Sequence, residues 1–426
     1  MQESWQSLPI SPVIGTMSST TSSELVARST THSPTQERLH LSQEEARRLE
    51  DLADQVVLDT IEYYDRFRFT EKRVVDPSAW KDVGHRDNLI VYRERSGPRP
   101  MYPSIRALDG SLQLVPCKSA PSVKIVGLLQ GTLDDEMYGC FVDSDDGVQM
   151  RTAVVGDMME NFHWLATVAE PSEEDPFRIC GVARCTLGTS LPLAKTRGAC
   201  LVISMGMTTT QHGERMGYYV LHSVDLSEPM TDRSYIRAKC SLCWIKTELS
   251  NGKVELYMKG FAAPMGIVPE FAAFPVLVNC VLGVGMTSDA AYSKKLAWMI
   301  YDAGKSGHRS HPPPMDECVG RCRNALGGLK SSAHFRRCLV CRKAVCNTCQ
   351  VVRRIPVDVT DGRVNMNKCI VCILCMHRAK ELSAVTFARR DLRSKRWKSL
   401  DATRTSITSS SEHEVAATER PFYETR

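Results

Sequence analysis

The chain has 426 residues, enough for two or three domains. Its 54 Lys and Arg against 49 Asp and Glu leave a net charge of +5, too mild to mark the whole surface as a nucleic-acid binder, so any electrostatic message has to be local.

The opening MQESWQSLPISPVIGTM has a Glu in place of a basic n-region and lacks an apolar h-region, so no secretory signal is read there. The 17 cysteines are therefore expected to meet a reducing compartment, where metal binding or free thiols outweigh disulfides. Residues 1–40 are rich in Ser, Thr and Pro without apolar periodicity and read as a disordered tail. HLSQEEARRLEDLADQVVLDTIEYYDRF then announces a helix. Ser42 and Glu45 form a capping box, and Leu49, Leu52, Val56, Thr60 and Tyr64 recur at helical spacing. From about 75 to 265 the pattern turns to short β-rich runs, NLIVYRER, SVKIVGLL, WLATVA, FRICGVARC, ACLVISMGM and YYVLHSVD. A hairpin is clearest in SYIRAKCSLCWIKTELSNGKVELYMKG, with its turn at Asn251-Gly252. TLDDEMYGCF predicts a short helix capped by Thr132 and Asp135.

A long helix is expected over about 269–303, with Pro269 in its first turn. Its apolar core, FAAFPVLVNCVLGVGM at 271–286, carries Pro275 and Asn279 and falls short of the ~20 residues a bilayer span requires, so it is read as a buried helix. An antiparallel sheet that curves over such a helix is one way to enclose an elongated apolar cavity. Residues 304–317, with three consecutive prolines, read as a stiff spacer. After the cysteine-rich stretch, 381–400 is a basic probable helix (FARRDLRSKRWKSL), and 401–426 returns to Ser/Thr-rich disorder.

Nine of the cysteines lie between Cys318 and Cys375, spaced C-x3-C-x15-C-x2-C-x4-C-x2-C-x19-C-x2-C up to Cys372. A short loop between two cysteines brings both sulfurs onto one metal, and four such pairs imply two structural Zn²⁺ ions with no open coordination position. Cys375 is left over, forming an overlapping pair with Cys372 through which it could replace Cys369; His334 or His377 could also substitute for a ligand. Between Cys318 and Met376 there are eleven Lys/Arg and only two Asp. Eight thiolates around two divalent ions take back four of those nine positive charges, leaving a small folded unit at about +5.

The all-cysteine centre and the four-residue gap between the second and third pairs resemble the FYVE family of zinc fingers; a RING finger, the nearest alternative, usually places a His there. The FYVE resemblance implies a cross-brace over 318–380, with Cys318, Cys322, Cys346 and Cys349 on one ion and Cys338, Cys341, Cys369 and Cys372 on the other. It also implies recognition of phosphatidylinositol 3-phosphate through a motif R-R/K-H-H-C-R-x-C-G. The chain reads HFRRCLVCR there, with Leu339 for the Arg and Arg342 for the Gly. Only half of the family's Trp and Asp ahead of the first pair is present, as Asp316, and the loop that would insert, KSSA at 330–333, has no large apolar tip. His334, Arg336, Arg337, Arg342 and Lys343 are the candidate headgroup-binding residues. TLDDEMYGCF, ATVAEPSEEDPFRICGVARC and RSYIRAKCSLCWIKTELSNGKVELYMKGFAAPMGIVPEF make residues 41–303 resemble a START-type lipid-transfer domain. Its pairing with a FYVE-like finger is an arrangement associated with large oomycete protein families. The resemblance implies an α+β helix-grip fold, a curved antiparallel sheet around the C-terminal helix, with one lipid held between them. Phe271, Phe274, Leu277, Val278 and Val281 would line that cavity.

Enzyme motifs are lacking. GKS at 304–306 has Met299 where a phosphate loop needs its first Gly, no HExxH or G-x-S-x-G occurs, and DSDDG at 143–147 reads as a surface turn rather than a calcium loop. The expectation is a non-enzymatic lipid-binding adaptor, cytoplasmic and peripheral on endosomal or other anionic membranes, phosphoinositide-bearing ones included. A hydrophobic ligand, an anionic phospholipid surface and protein partners are its expected associations, with nucleic acid disfavoured. The alternative is a zinc protein that binds proteins or nucleic acid and whose sheet domain is structural.

Overall fold

The computed structural model describes residues 39–95, 122–187, 196–224, 235–263, 270–306, 318–320 and 335–394. The expectations for the two terminal tails, the proline spacer, the KSSA loop, Cys322 and His334 fall outside these residues, as does the side chain of Phe271.

Helix α1 (Gln43–Asp65) begins at the expected capping box: the Glu45 N–H donates to the Ser42 hydroxyl, and the Ser42 N–H donates back to the Glu45 carboxylate. Its stripe Leu49, Leu52, Val56, Thr60 and Tyr64 is buried as the periodicity requires. Strands β1 (Trp80–Arg86), β2 (Leu89–Glu94) and β3 (Ser122–Leu129) follow, then two short helices, α2 (Leu133–Cys140) and α3 (Asp145–Val155). Next come β4 (Met159–Ala169), β5 (Ile179–Leu187), β6 (Arg197–Thr209), β7 (Arg215–Ser223), β8 (Ile236–Arg237), β9 (Lys239–Glu248) and β10 (Val254–Ala263). They form one sheet in the order β1-β2-β3-β10-β9-β7-β6-β5-β4, antiparallel throughout, with β8 added parallel to the start of β6. The predicted α+β class, a large antiparallel sheet with helices, is what the chain adopts.

The period-two alternation of the strands divides the interior. On β9, Cys243 and Ile245 face α1, while Leu242 and Trp244 face the other layer, and Lys246 reaches α2. That second layer is α2, α3, α4 (Glu270–Leu282) and α5 (Thr287–Ser306). Two expectations change here. DSDDG is not a surface turn but the start of α3: the Ser144 hydroxyl accepts from the Gly147 N–H, and Asp145 accepts from the backbone of Trp164. The single long helix is interrupted by a 3-10 turn, Gly283–Met286, which separates α4 over the β1–β2 edge from α5 along α2. Gly139 of α2 makes the second packing possible, because a Cβ there would sit 1.8 Å from the Thr287 carbonyl oxygen. The stretch 274–305 is long and apolar enough to cross a membrane by length and composition, and half of that window is buried inside this fold.

The C-terminal stretch contributes β11 (Arg336–Arg337), β12 (Ala344–Val345), a hairpin of β13 (Gln350–Thr360) and β14 (Arg363–Cys372), and helices α6 (Ile373–Glu381) and α7 (Ala384–Ser394). It does not hang free: among the described residues β13, α6 and α7 pack over α5.

One half-buried titratable group gives the fold a pH dependence. His222 on β7 bonds Ser241 Oγ at 2.9 Å, and burial lowers its pKa to about 4. The unfolded chain then binds a proton below its ordinary value near 6.5 that the folded chain refuses, so stability is full above that value and is lost as the pH falls toward 4. The loss is on the order of 3 kcal/mol. Thermal melts of His222→Gln between pH 7 and 4 are expected to show a flatter decline than the wild type; an unchanged slope would remove this group from the account.

Candidate metal centre and apolar interior

Four thiols, Cys338, Cys341, Cys372 and Cys375, have their sulfurs within 4.8 Å of one another, and so do Cys318, Cys346 and Cys349. The threading is interleaved, since the second pair meets the last and the first cysteine meets the third pair. Local geometry suits a metal. Zn–S bonds near 2.3 Å at tetrahedral corners put sulfurs roughly 3.8 Å apart, and Cys341 Sγ to Cys372 Sγ is 3.8 Å. Backbone N–H groups point at the sulfurs as they do around thiolates: Cys346 N–H to Cys318 Sγ at 3.4 Å, Cys372 N–H to Cys338 Sγ at 3.2 Å, and Cys375 N–H to Cys372 Sγ at 3.4 Å. The Cys375 thiol bonds Cys338, which lowers the Cys338 pKa to about 4 against the effect of burial. Gly320 leaves room beside the first cluster, where a Cβ would come 2.7 Å from Cys349 Sγ.

The four-thiol cluster differs at one position from the ligand set that the resemblance implies. Cys369 belongs to neither cluster; it sits mid-strand on β14 opposite Arg353, buried, with burial raising its pKa. Cys375 takes its place. The physical reason is that β14 runs to Cys372 and α6 starts at Ile373, so a strand-to-helix corner, not a strand, carries the last pair. Cys372 is also the N-cap of α6, its sulfur accepting from the Cys375 N–H.

Of the candidate headgroup residues, Arg336, Arg342 and Lys343 are exposed on β11 and the turn that joins it to β12. Arg337 is half-buried and donates to the Arg342 carbonyl at 2.7 Å, so it braces the turn. Arg342 holds φ +64°, a left-handed conformation that costs a non-glycine residue about 1 kcal/mol. This is the position where the family motif has Gly.

The arginines of helix α7 are engaged within the fold. Arg390 forks onto Asp302 at 2.5 and 2.7 Å and lies 3.8 Å from the Trp298 ring centre. Arg393 forks onto Glu173 at 2.5 and 2.8 Å, and Arg389 donates to the Glu173 carbonyl. Asp391 accepts from Tyr138 Oη and from Trp298 Nε1, both at 2.6 Å. The C-terminal module is thereby clamped to α2, α5 and the loop before β5. Asp391 and Leu392, with Pro356 of β13, close one side of a cavity of about 40 Å³ against Phe141, Met150 and Lys294.

Inside the sheet domain, Val278 and Val281 of α4 are buried, and Phe274 and Leu277 pack partly buried against the same cluster as the sheet's inner face. Polar groups that the sequence reading missed also lie on this side. Arg151 of α3 bonds Asp157 and Tyr219 Oη; Tyr219 stacks on Trp244 with centroids 5.5 Å apart. Lys246 bonds Glu136 at 3.0 Å, and Lys295 bonds Asp135 at 2.5 Å, all four side chains being essentially inaccessible. Trp244 Nε1, Arg151 Nε and Glu136 Oε1 are buried without a hydrogen-bond partner among the described residues. Cys240 on β9 and Cys280 on α4 are deep enough that burial raises their thiols to about 11 and about 12, yet each keeps accessible surface. Only Asp135 among these polar groups carried a signal in the sequence, through its capping box with Thr132.

No family model and no curated protein matches the chain. Among solved structures it is similar over part of its length to human StAR-related lipid transfer protein 5, at 12% identity, covering 58% of this chain and 97% of that one, with TM-score 0.39. It is similar also to the lipid transfer and protein localization domain of human StarD13, at 11% identity over 52% of this chain and 92% of that one, TM-score 0.34. A third is a STAR-related lipid transfer protein fragment from Xanthomonas axonopodis, at 12% identity over 50% of this chain and 98% of that one, TM-score 0.33. At such identities and scores the functional reading has to rest on this chain's own side chains.

Proposed function

We propose that the protein is a non-enzymatic adaptor. A FYVE-like module folded around two structural zinc ions presents a cationic edge to anionic cytosolic membranes, endosomal ones included, while the START-like sheet domain holds a hydrophobic ligand. Cys318, Cys346 and Cys349, with Cys322 as fourth ligand, would hold one ion; Cys338, Cys341, Cys372 and Cys375 would hold the other. Bound zinc would fix the turns from which the cations project and take no part in chemistry. The interior supports the second half: orphaned polar atoms at Trp244, Arg151 and Glu136 beside an apolar wall suit a ligand with a hydrophobic body and one polar group.

The observation that carries the membrane reading is the exposed set Arg336, Arg342 and Lys343, for which no acidic partner is found among the described residues, on the same module whose α7 arginines are all engaged. Each such cation near an anionic bilayer contributes about 1 kcal/mol. Changing all three to Gln is expected to lower partitioning onto phosphatidylserine vesicles in flotation by about a hundredfold, with zinc content unchanged. Adding phosphatidylinositol 3-phosphate tests headgroup selectivity, which Leu339 and Arg342 make weaker than the family motif would give. Wild-type protein that fails to float with any anionic vesicle would defeat the recruitment reading.

A further inference from the structure

The β13–β14 hairpin has two unlike faces. Its inner face is spent on the fold: Ile355 and Val371 are buried, and Arg353 pairs with Asp289 of α5 at 3.1 Å. Its outer face carries Val352 and Arg354 on β13, directly opposite Ile370 and Lys368 on β14. Val352 is 45% exposed, and Arg354 and Lys368 are exposed. Two like charges directly opposite on one face of an antiparallel pair repel. Neither pairs with an acid among the described residues, and the hairpin's own two Asp, Asp358 and Asp361, sit at its far end. Where β14 passes into α6, Ile373 and Leu374 are exposed as well, at 41% and 53%.

We infer that this outer face is a second contact surface of the module, lying on an anionic bilayer with Arg354 and Lys368 among the phosphates and Val352 and Ile370 at the acyl boundary. The inference rests on the membrane reading above and assigns it residues that the finger motif does not include. Charge complementarity selects the occupant. A paired cation row beside a paired apolar row is the pattern of a side-chain set that snorkels at a lipid interface. The apolar part is only a few side chains wide, whereas a stable protein partner buries about 800 Å² on each side. A bilayer needs no such area, because each cation adds its own attraction to the few apolar groups that enter. The face also adjoins the cationic edge: the Leu339 N–H, in the turn after β11, donates to the Ile370 carbonyl at 2.9 Å.

The test uses the full chain loaded with zinc, floated with vesicles of phosphatidylcholine alone or mixed with phosphatidylserine. Arg354→Gln with Lys368→Gln is expected to lower partitioning onto the anionic vesicles about thirtyfold, and Val352→Ser a further few-fold that persists in high salt. Both changes are on an exposed face, so zinc content and melting temperature should stay at wild-type values and certify the fold. Wild-type binding that falls in the Arg336/Arg342/Lys343 variant but not in the hairpin variants would overturn this inference and leave the recruitment reading standing. Absence of wild-type binding would overturn both. Loss of binding to an acidic protein in place of loss on vesicles would assign the face to a protein partner and overturn the bilayer.

Discussion

Cys372→Ser is expected to lose one zinc equivalent and to unfold the C-terminal module, whereas Cys369→Ser should keep both ions and the fold. The two residues are three positions apart on one strand, so the contrast isolates ligation from location. Cys372 lies within 4.8 Å of three other sulfurs, caps α6 and accepts the Cys375 N–H. Cys369 does none of these things. Structural zinc in small modules supplies about 10–16 kcal/mol of apparent binding energy, which is folding energy there. Its loss should also be felt beyond the module. Phe387, Ile355 and Val371 are buried in the shared core, so undocking exposes apolar surface on both partners and the main melting transition should fall. Metal analysis of the purified variants, followed by calorimetry, checks the pair; zinc loss in Cys369→Ser with retention in Cys375→Ser would reverse the assignment.

The second large effect is expected at Lys246. Its ammonium donates to the Glu136 carboxylate and lies 3.1 Å from Cys140 Sγ, and the Thr287 hydroxyl bonds the same carboxylate. Lys246→Met leaves Glu136 buried without its counter-charge, which costs about 3–5 kcal/mol and should lower the melting temperature by roughly 10 °C. Pairing it with Glu136→Leu should restore much of the loss, because two apolar groups need no partners. Arg393→Ala removes an ion pair of comparable geometry but on the surface, with side chains 64% and 49% exposed, and is expected to cost under about 1 kcal/mol. Melts of the three variants decide the matter. Equal losses in Lys246→Met and Arg393→Ala would show that burial of the first pair has been misjudged.

What the sequence made legible was whatever depends on neighbours in the chain. Ser42 with Glu45, Thr132 with Asp135 and the Asn251-Gly252 turn are local chemistry, and each stands where its residues place it. Strand alternation placed Leu242 and Trp244 on one face of β9. Long-range choices were less visible. C-x2-C spacing is satisfied equally by Cys369/Cys372 and Cys372/Cys375, and only the end of β14 decides between them. The basic composition of α7 gave no hint of Glu173, more than two hundred positions earlier in the chain. The interruption of the predicted long helix at Gly283–Met286 likewise follows from what packs there, with Val155 of α3 on Gly283 and Arg86 and Leu89 on Gly285. The polar interior was hidden because Arg151 of α3 meets Tyr219 of β7 and Lys246 of β9 meets Glu136 of α2, partners far apart in the chain.

The most direct measurement is the zinc content of well-folded, full-length protein by elemental analysis, alongside a thiol count under native conditions. Two equivalents per chain are expected, with both clusters' sulfurs protected and Cys369 indifferent to the metal. One equivalent or none in protein that retains its cooperative melt would contradict the interleaved centre and the cationic module built upon it.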